Sequence, residues 1–225
     1  MHIEPGIVDG AKIVLSYATA AAAGGYAVKV AADAAREQGA PSLALRTAAT
    51  TTLVLFFFEI LPHFSVGVSE VHFIFGSTLF LIFGAAPAAL GLALGLLLQG
   101  VFLVPTDLPQ YGMNITTLLV PLFAINTLAA RIISRDTAYV DLRYGQALSL
   151  STAYQAGIVA WVAFWAIYGR GLGAENQSSI ATFGASYAMV IFVEPLVDLG
   201  VLALAKLLRG GLGSGLVTPR LHNAA

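Results

Sequence analysis

The residues with the clearest capacity for chemistry open the chain: Met1 is followed by His2. An α-amine, the amide nitrogen of His2 and the His2 imidazole can chelate one divalent transition metal in fused rings. Nitrogen donors in a plane suit Ni(II) or Cu(II), and Co(II) is also accommodated. A bulky second residue opposes removal of the initiator Met, so this pair is expected to be the working terminus. A second cluster lies in the stretch 62–72, where His63, Ser69, Glu70 and His72 precede an apolar run. With the terminus folded back, either imidazole of that loop can supply the missing in-plane donor. Solvated loop histidines are commoner than ligated ones, and the residues alone leave His63 and His72 both open. A third group of polar residues is embedded in apolar surroundings: Glu59, Gln99, Gln155, Glu194 and Asp198. Polar side chains within a bilayer are expensive and by default functional candidates. Glu59 falls near the end of its apolar run, where it either joins the site or faces water. Glu194 and Asp198, four residues apart, share one helix face beside Pro195. They read as a proton relay or metal path, or, more simply, as one partner of a neighbouring helix and one group near the cytoplasmic water.

The elements that must carry these residues follow from composition. The chain is 58% hydrophobic and 10% charged, with mean hydropathy +0.83, far from the roughly one-quarter charged residues of soluble domains. Apolar stretches of about twenty residues match the ~30 Å hydrocarbon thickness crossed by a helix, whereas barrel strands would be short and alternating. Seven spans are predicted at 10–32, 43–61, 73–86, 88–104, 115–133, 148–168 and 180–208. The third and fourth, separated by Pro87, are expected to form a tight hairpin. Of the 11 Lys and Arg residues, all but Lys12 and Arg170 fall on one side of this arrangement, which marks that side as cytoplasmic. The N-terminus is then outside, together with His2, His63, His72, Glu4, Glu70 and Asp107. Residues 209–225, rich in Gly, are expected to be a flexible cytoplasmic tail. In the first span Ser16, Ala20 and Gly24 recur at four-residue intervals and permit close helix approach, by an internal neighbour or by a separate membrane partner.

Several function classes are excluded. No cysteine is present, so disulfides and thiolate ligands are absent. A net charge of −1 leaves no basic face for nucleic acid. No Walker motif, His-Glu-x-x-His motif or Gly-x-Ser-x-Gly elbow occurs, so the chain is not expected to hydrolyse ATP or peptides. The first residues carry no positive n-region or cleavage site, and no cleaved signal is expected.

These features resemble the CbiM/NikM family, the substrate-capture components of energy-coupling-factor ABC importers for cobalt and nickel. The resemblance rests on Met1-His2-Ile3-Glu4-Pro5-Gly6 and on Ser69-Glu70-Val71-His72, placed where members carry a Ser-x-Ser-His loop. It rests also on Leu98-Gln99-Gly100-Val101-Phe102-Leu103 and Tyr111-Gly112-Met113-Asn114. It covers roughly the first 130 residues. It implies a metal held by the Met1 amine, the amide and imidazole of His2, and the imidazole of His72. Asn114, Glu70 and Ser69 would then orient the terminus or, like His63, stand as alternative ligands. The chain departs from the pattern at Glu70 and Val71, and at 73–77, where a glycine- and threonine-rich stretch is usual. A carboxylate beside the site favours a harder or higher-coordinate ion than planar Ni(II). The family also implies a transmembrane coupling subunit, cytoplasmic ATPases and a small accessory membrane subunit as partners.

The expectation is therefore an all-α, polytopic membrane bundle of about seven transmembrane helices, N-terminus outside and C-terminus cytoplasmic, in an inner membrane. Residues 1–208 form a metal-capture domain, with 1–9 folding into the bundle. No resident cofactor is expected; Ni(II) or Co(II) is cargo. The competing readings are a proton-coupled secondary transporter using Glu59, Glu194 and Asp198, and a non-transport membrane scaffold. No inverted repeat supports the first of these.

Overall fold

In a bilayer each backbone N–H and C=O must find its partner within the protein, which drives long apolar runs into helices. In the computed structural model, which describes residues 2–208 and 215–223, the chain forms α1 (Ile13–Gln38), α2 (Ala40–Glu59), α3 (Gly76–Phe83), α4 (Ala85–Phe102), α5 (Tyr111–Ile132), α6 (Tyr144–Arg170) and α7 (Ala174–Leu207). A hairpin of β1 (Phe64–Val66) and β2 (Ser69–Val71) joins α2 to α3. The protein is an all-α membrane bundle with this single small sheet among the described residues.

Seven helices form among the described residues, and six of them are long and apolar enough to cross a membrane; the other, α3, has 8 residues and extends only ~12 Å at 1.5 Å per residue. The segment nevertheless travels the length of the bundle. His72 lies against Phe58 near the end of α2, with ring centroids 5.2 Å apart, whereas the Phe83 carbonyl accepts a 2.8 Å hydrogen bond from Arg46 near the start of α2. Those two positions on α2 are about 18 Å apart along its axis. Residues 72–75 make the first part of this passage without helical structure and α3 makes the second. Nor does the break fall at Pro87. The chain turns at Gly84, whose φ of +91° suits glycine, and Pro87 sits in the first turn of α4, where a missing N–H costs no helical bond.

A passage that is only half helical leaves backbone and hydroxyl donors needing acceptors, and α7 supplies them. The Glu194 carboxylate accepts the N–H groups of Ile74 and Phe75 at 2.7 and 3.0 Å. Its other oxygen is met by the Gln155 amide, whose carbonyl takes the Tyr187 hydroxyl at 2.8 Å. Asp198 accepts hydroxyl bonds from Ser77, at 2.7 Å, and from Thr78. Both carboxylates are thus partners of a neighbouring segment; the simpler sequence reading expected this of one and placed the other near water, whereas both are buried. Phe75, at φ +52°, is the one non-glycine residue of left-handed backbone among the described residues.

Close helix approach occurs chiefly between α2 and α4. A methyl group at Gly91 would lie 2.2 Å from Thr50 Oγ1, and one at Gly95 2.5 Å from Val54 Cγ1. On α1 Ser16 meets Gly112 of α5 and Ala20 packs against the core, while Gly24 has open space around it. The tail also departs from expectation. Residues 209–214 lie outside the described residues, but 215–223 pack onto the bundle: Thr218 N–H donates to Ile82 C=O at 2.7 Å, and Leu221 is fully buried. Two apolar side chains, Val217 and Leu221, and a carbonyl freed near the end of α3 give the tail something to bind. Residues near position 2 and the packed tail sit at opposite ends of the bundle.

Candidate metal centre

The amino-terminal segment enters the bundle because its apolar residues can be buried there: Ile3, Ile7 and Val8 are buried. It runs beside β2 as a third, strand-like strip. Ile3 bridges Ser69, Glu70 N–H donates to His2 C=O at 2.9 Å, and Glu4 N–H donates to Val68 C=O at 3.2 Å. The turn of the hairpin seats Gly67 so close to α7 that a methyl group there would lie 2.2 Å from the Ser179 carbonyl oxygen. This strip fixes where His2 points.

Glu70 stands between two imidazoles. Its Oε2 is 2.7 Å from His2 Nδ1 and 2.7 Å from His72 Nε2. One donor atom from each of His2, Glu70 and His72 lies within 4.8 Å of the others. Metal–nitrogen bonds of about 2.0–2.1 Å place donors no more than ~4.2 Å apart across an ion, so a small contraction brings the set into coordinating range. His2 and His72 are 3% and 1% exposed, while the Glu70 side chain keeps 25% of its surface. The cluster is therefore reachable through its carboxylate. Phe58 walls it, 5.8 Å from the His2 ring and 5.2 Å from that of His72.

Burial pushes the Glu70 carboxyl up, but hydrogen bonds from His2 and then His72 outweigh it and hold Glu70 well below the usual carboxylate range. Burial outweighs the hydrogen bond and attraction of Glu70 and brings His72 down to about 2. The carboxylate is ionised and the imidazole neutral at physiological pH, the protonation states that metal coordination requires. His72 Nδ1 is buried and has no hydrogen-bond partner among the described residues.

A second layer orients His2. Its Nε2 meets Gln99 Oε1 at 2.8 Å, and the Gln99 amide nitrogen donates to Glu59 Oε1 at 2.5 Å. That leaves Nδ1 facing the cluster. Asp107 Oδ2 stands 3.7 Å from Nε2. Asn114 Oδ1 accepts the Ile3 N–H at 2.9 Å, and Ser69 Oγ donates to His2 C=O at 2.8 Å. Both hold the peptide that follows the terminus. His63 stacks on His72 at 4.9 Å with the rings 9° from parallel, exposed and outside the cluster. Met1 lies outside the described residues.

Sequence reading thus brought His2 and His72 to one place, with Asn114 and Ser69 on the supporting peptide. It left Glu70 between an orienting role and that of an alternative ligand, offered Glu59 as a residue that either joins the site or faces water, and did not join Gln99 to His2. The available signal was the depth of Gln99 and Glu59: both fall near the same helix ends as the histidines. No sequence pattern shows which ring nitrogen a glutamine 97 residues away will meet.

The sequence matches the family described as CbiM, cobalt uptake substrate-specific transmembrane region, over residues 2–210. The chain belongs to the CbiM family. It is accordingly a multi-pass membrane protein and a substrate-specific component of metal uptake, not an enzyme. The crystal structure of a truncated transition metal transporter is similar in fold, with a TM-score of 0.62 and 16% identity, covering 93% of this chain and 98% of that one. Among proteins of curated function none matches the sequence. CbiM membership covers α6 and α7, which the sequence resemblance did not reach.

Proposed function

We propose that this CbiM-family chain captures Co(II) or Ni(II) at the outer face of an inner membrane and passes it inward when joined to a coupling subunit and cytoplasmic ATPases. The observation that carries the reading is the His2–Glu70–His72 cluster, two buried imidazoles on either side of a part-buried carboxylate. The donors are the Met1 amine, the amide nitrogen and Nδ1 of His2, and Nε2 of His72. Glu70 adds an oxygen to this nitrogen set, which favours Co(II), at home with more than four ligands, over planar Ni(II). Gln99, Glu59, Asn114 and Ser69 orient the donors, as outer-shell partners of metal ligands commonly do. His63, stacked and exposed, is not a ligand.

Charge distribution supports the orientation. Lys206 pairs with Asp141 at 2.8 Å and Arg220 reaches Ser134 at the end of the bundle opposite the cluster, while Lys12 bonds Gly169 at the cluster's own end. An end rich in Lys and Arg is the cytoplasmic one. The chain has no nucleotide-binding motif, so energy for uphill movement comes from partner ATPases. A small accessory membrane subunit completes the assembly.

The test is calorimetric titration of detergent-purified protein with a native N-terminus, using Co(II), Ni(II) and Zn(II). Tight one-to-one binding is expected, lost when one residue precedes Met1 and lost again in His2→Ala and His72→Ala, but kept in His63→Ala. Binding indifferent to the extension and to His72→Ala would sink the proposal.

A further inference from the structure

The geometry points to Glu194 of α7 as a positioning residue of the metal site, acting through the main chain on either side of His72; this rests on the metal-capture reading above. His72 lies in a stretch with no helical hydrogen bonds of its own, so its direction depends on what anchors the flanking peptides. Toward the N-terminal side the anchor is the terminal strip: Glu70 N–H donates to His2 C=O at 2.9 Å. On the other side the anchor is Glu194 Oε1, which gathers the N–H groups of Ile74 and Phe75 at 2.7 and 3.0 Å. His72 is therefore held from two residues before it and from two and three residues after it. Only the second anchor comes from α7, far along the chain.

Glu194 is itself fixed. It is fully buried, its second oxygen meets Gln155, and Tyr187 holds Gln155 in turn at 2.8 Å. Phe75 adopts left-handed backbone at φ +52° at the point where Glu194 grips it, and the Phe75 ring packs on Phe57 and Phe73. In hydrocarbon, freed N–H groups do not remain without a partner. Without the carboxylate, residues 73–75 must rearrange to find other acceptors, and His72 moves with them. Asp198, one turn further along α7, bonds hydroxyls within α3 and touches no group of the 72–75 stretch. Its loss should loosen α3 without turning His72.

The experiment compares wild type, His72→Ala, Glu194→Ala, Glu194→Gln and Asp198→Asn, each as full chain with a native N-terminus in detergent. Calorimetry gives the Co(II) affinity and visible absorption at saturating Co(II) reports the ligand set. Glu194→Ala is expected to weaken Co(II) binding about 10- to 100-fold, the range for outer-shell partners, with an absorption spectrum shifted toward that of His72→Ala. A glutamine carbonyl can accept the same two N–H groups, so Glu194→Gln is expected to restore the wild-type spectrum and an affinity within about threefold. Asp198→Asn is expected to lower thermal stability and leave the spectrum unchanged. If Glu194→Ala does not fold, Gln155→Leu, which frees the second carboxylate oxygen, is read instead, with a smaller loss in the same direction. Wild-type affinity and spectrum in Glu194→Ala, or in Gln155→Leu where that variant stands in, would overturn the proposal. Failure of the underlying reading shows separately, as a wild type that binds no metal or a His72→Ala variant that binds as well as wild type.

Discussion

Replacing Glu70 by glutamine removes one charge from the centre of the cluster and changes almost nothing in shape. With a divalent ion about 4 Å from the carboxylate charge and an effective dielectric of about 20, the lost attraction is ~8 kcal/mol. That figure is not the net effect. To coordinate, Glu70 gives up the bonds it now makes at 2.7 Å to each imidazole, each worth about 1.5–3 kcal/mol for a charged acceptor. The difference leaves about 2–5 kcal/mol, or roughly 30-fold to a few thousandfold in affinity at 1.4 kcal/mol per decade. The loss should be unequal between metals. A set of four nitrogens suffices for planar Ni(II), whereas Co(II) uses the additional oxygen, so Glu70→Gln should reduce the Co(II) affinity more than the Ni(II) affinity. Calorimetric titration of wild type and variant with both ions, in one buffer at pH 7.5, reads the two factors directly. Affinities within about threefold of wild type for both metals would refute the placement of Glu70 in the site and leave it as a spacer between the histidines.

Three further outcomes are expected. Asn114→Ala removes the acceptor of the buried Ile3 N–H and should weaken Co(II) binding roughly tenfold, at the lower end for an orienting group, while the unsatisfied donor costs the metal-free protein about 1–3 kcal/mol, read as a lowered melting temperature. Gly67→Ala places a methyl group 2.2 Å from the Ser179 carbonyl oxygen at φ +65°; backbone strain and the forced shift of α7 should cost roughly 2–4 kcal/mol, read as a lowered thermal midpoint. Folding holds His72 neutral with its pKa lowered from 6.5 to about 2, so its contribution to stability is complete above its unfolded value and is lost as pH falls from there toward 2. The metal-free wild type should therefore melt earlier at pH 5 than at pH 7 in one detergent, and His72→Asn should show a smaller decrement over the same interval.

The legibility of the site depended on the kind of interaction involved. His2 stood out because an imidazole next to an α-amine is a chelate written within one dipeptide. The loop offered His63 and His72 alike, and it was the resemblance to the CbiM/NikM pattern that singled out His72 and brought in Asn114. Glu70 was visible as a residue with its role left open, since a strand pairing decides whether a carboxylate stands beside an imidazole or between two. Gln99 was recognised only as a polar group in apolar surroundings, and Glu59 as a residue that joins the site or faces water, because their partners depend on α2 and α4 packing closely enough to bring both to His2. The third crossing was read as a helix because 73–86 is continuously apolar, and apolarity reports burial without distinguishing an extended stretch from a helical one when nothing polar interrupts it.

Sequence alone determined that this is a membrane bundle of several apolar spans, that Lys and Arg gather at one end, and that the metal-binding residue types lie toward the other. Those properties are sums over local composition, which the bilayer's thickness and low polarity convert directly into helices and sides. Tertiary structure decided the rest: the extended stretch at 72–75, the α7 carboxylates that hold it, the docked tail at 215–223, and the meeting of His2, Glu70 and His72. Each of these is a hydrogen-bond or packing partnership between segments tens of residues apart. A backbone donor within a membrane has to be satisfied by some acceptor, but which one reaches it is a question of distance in the folded chain.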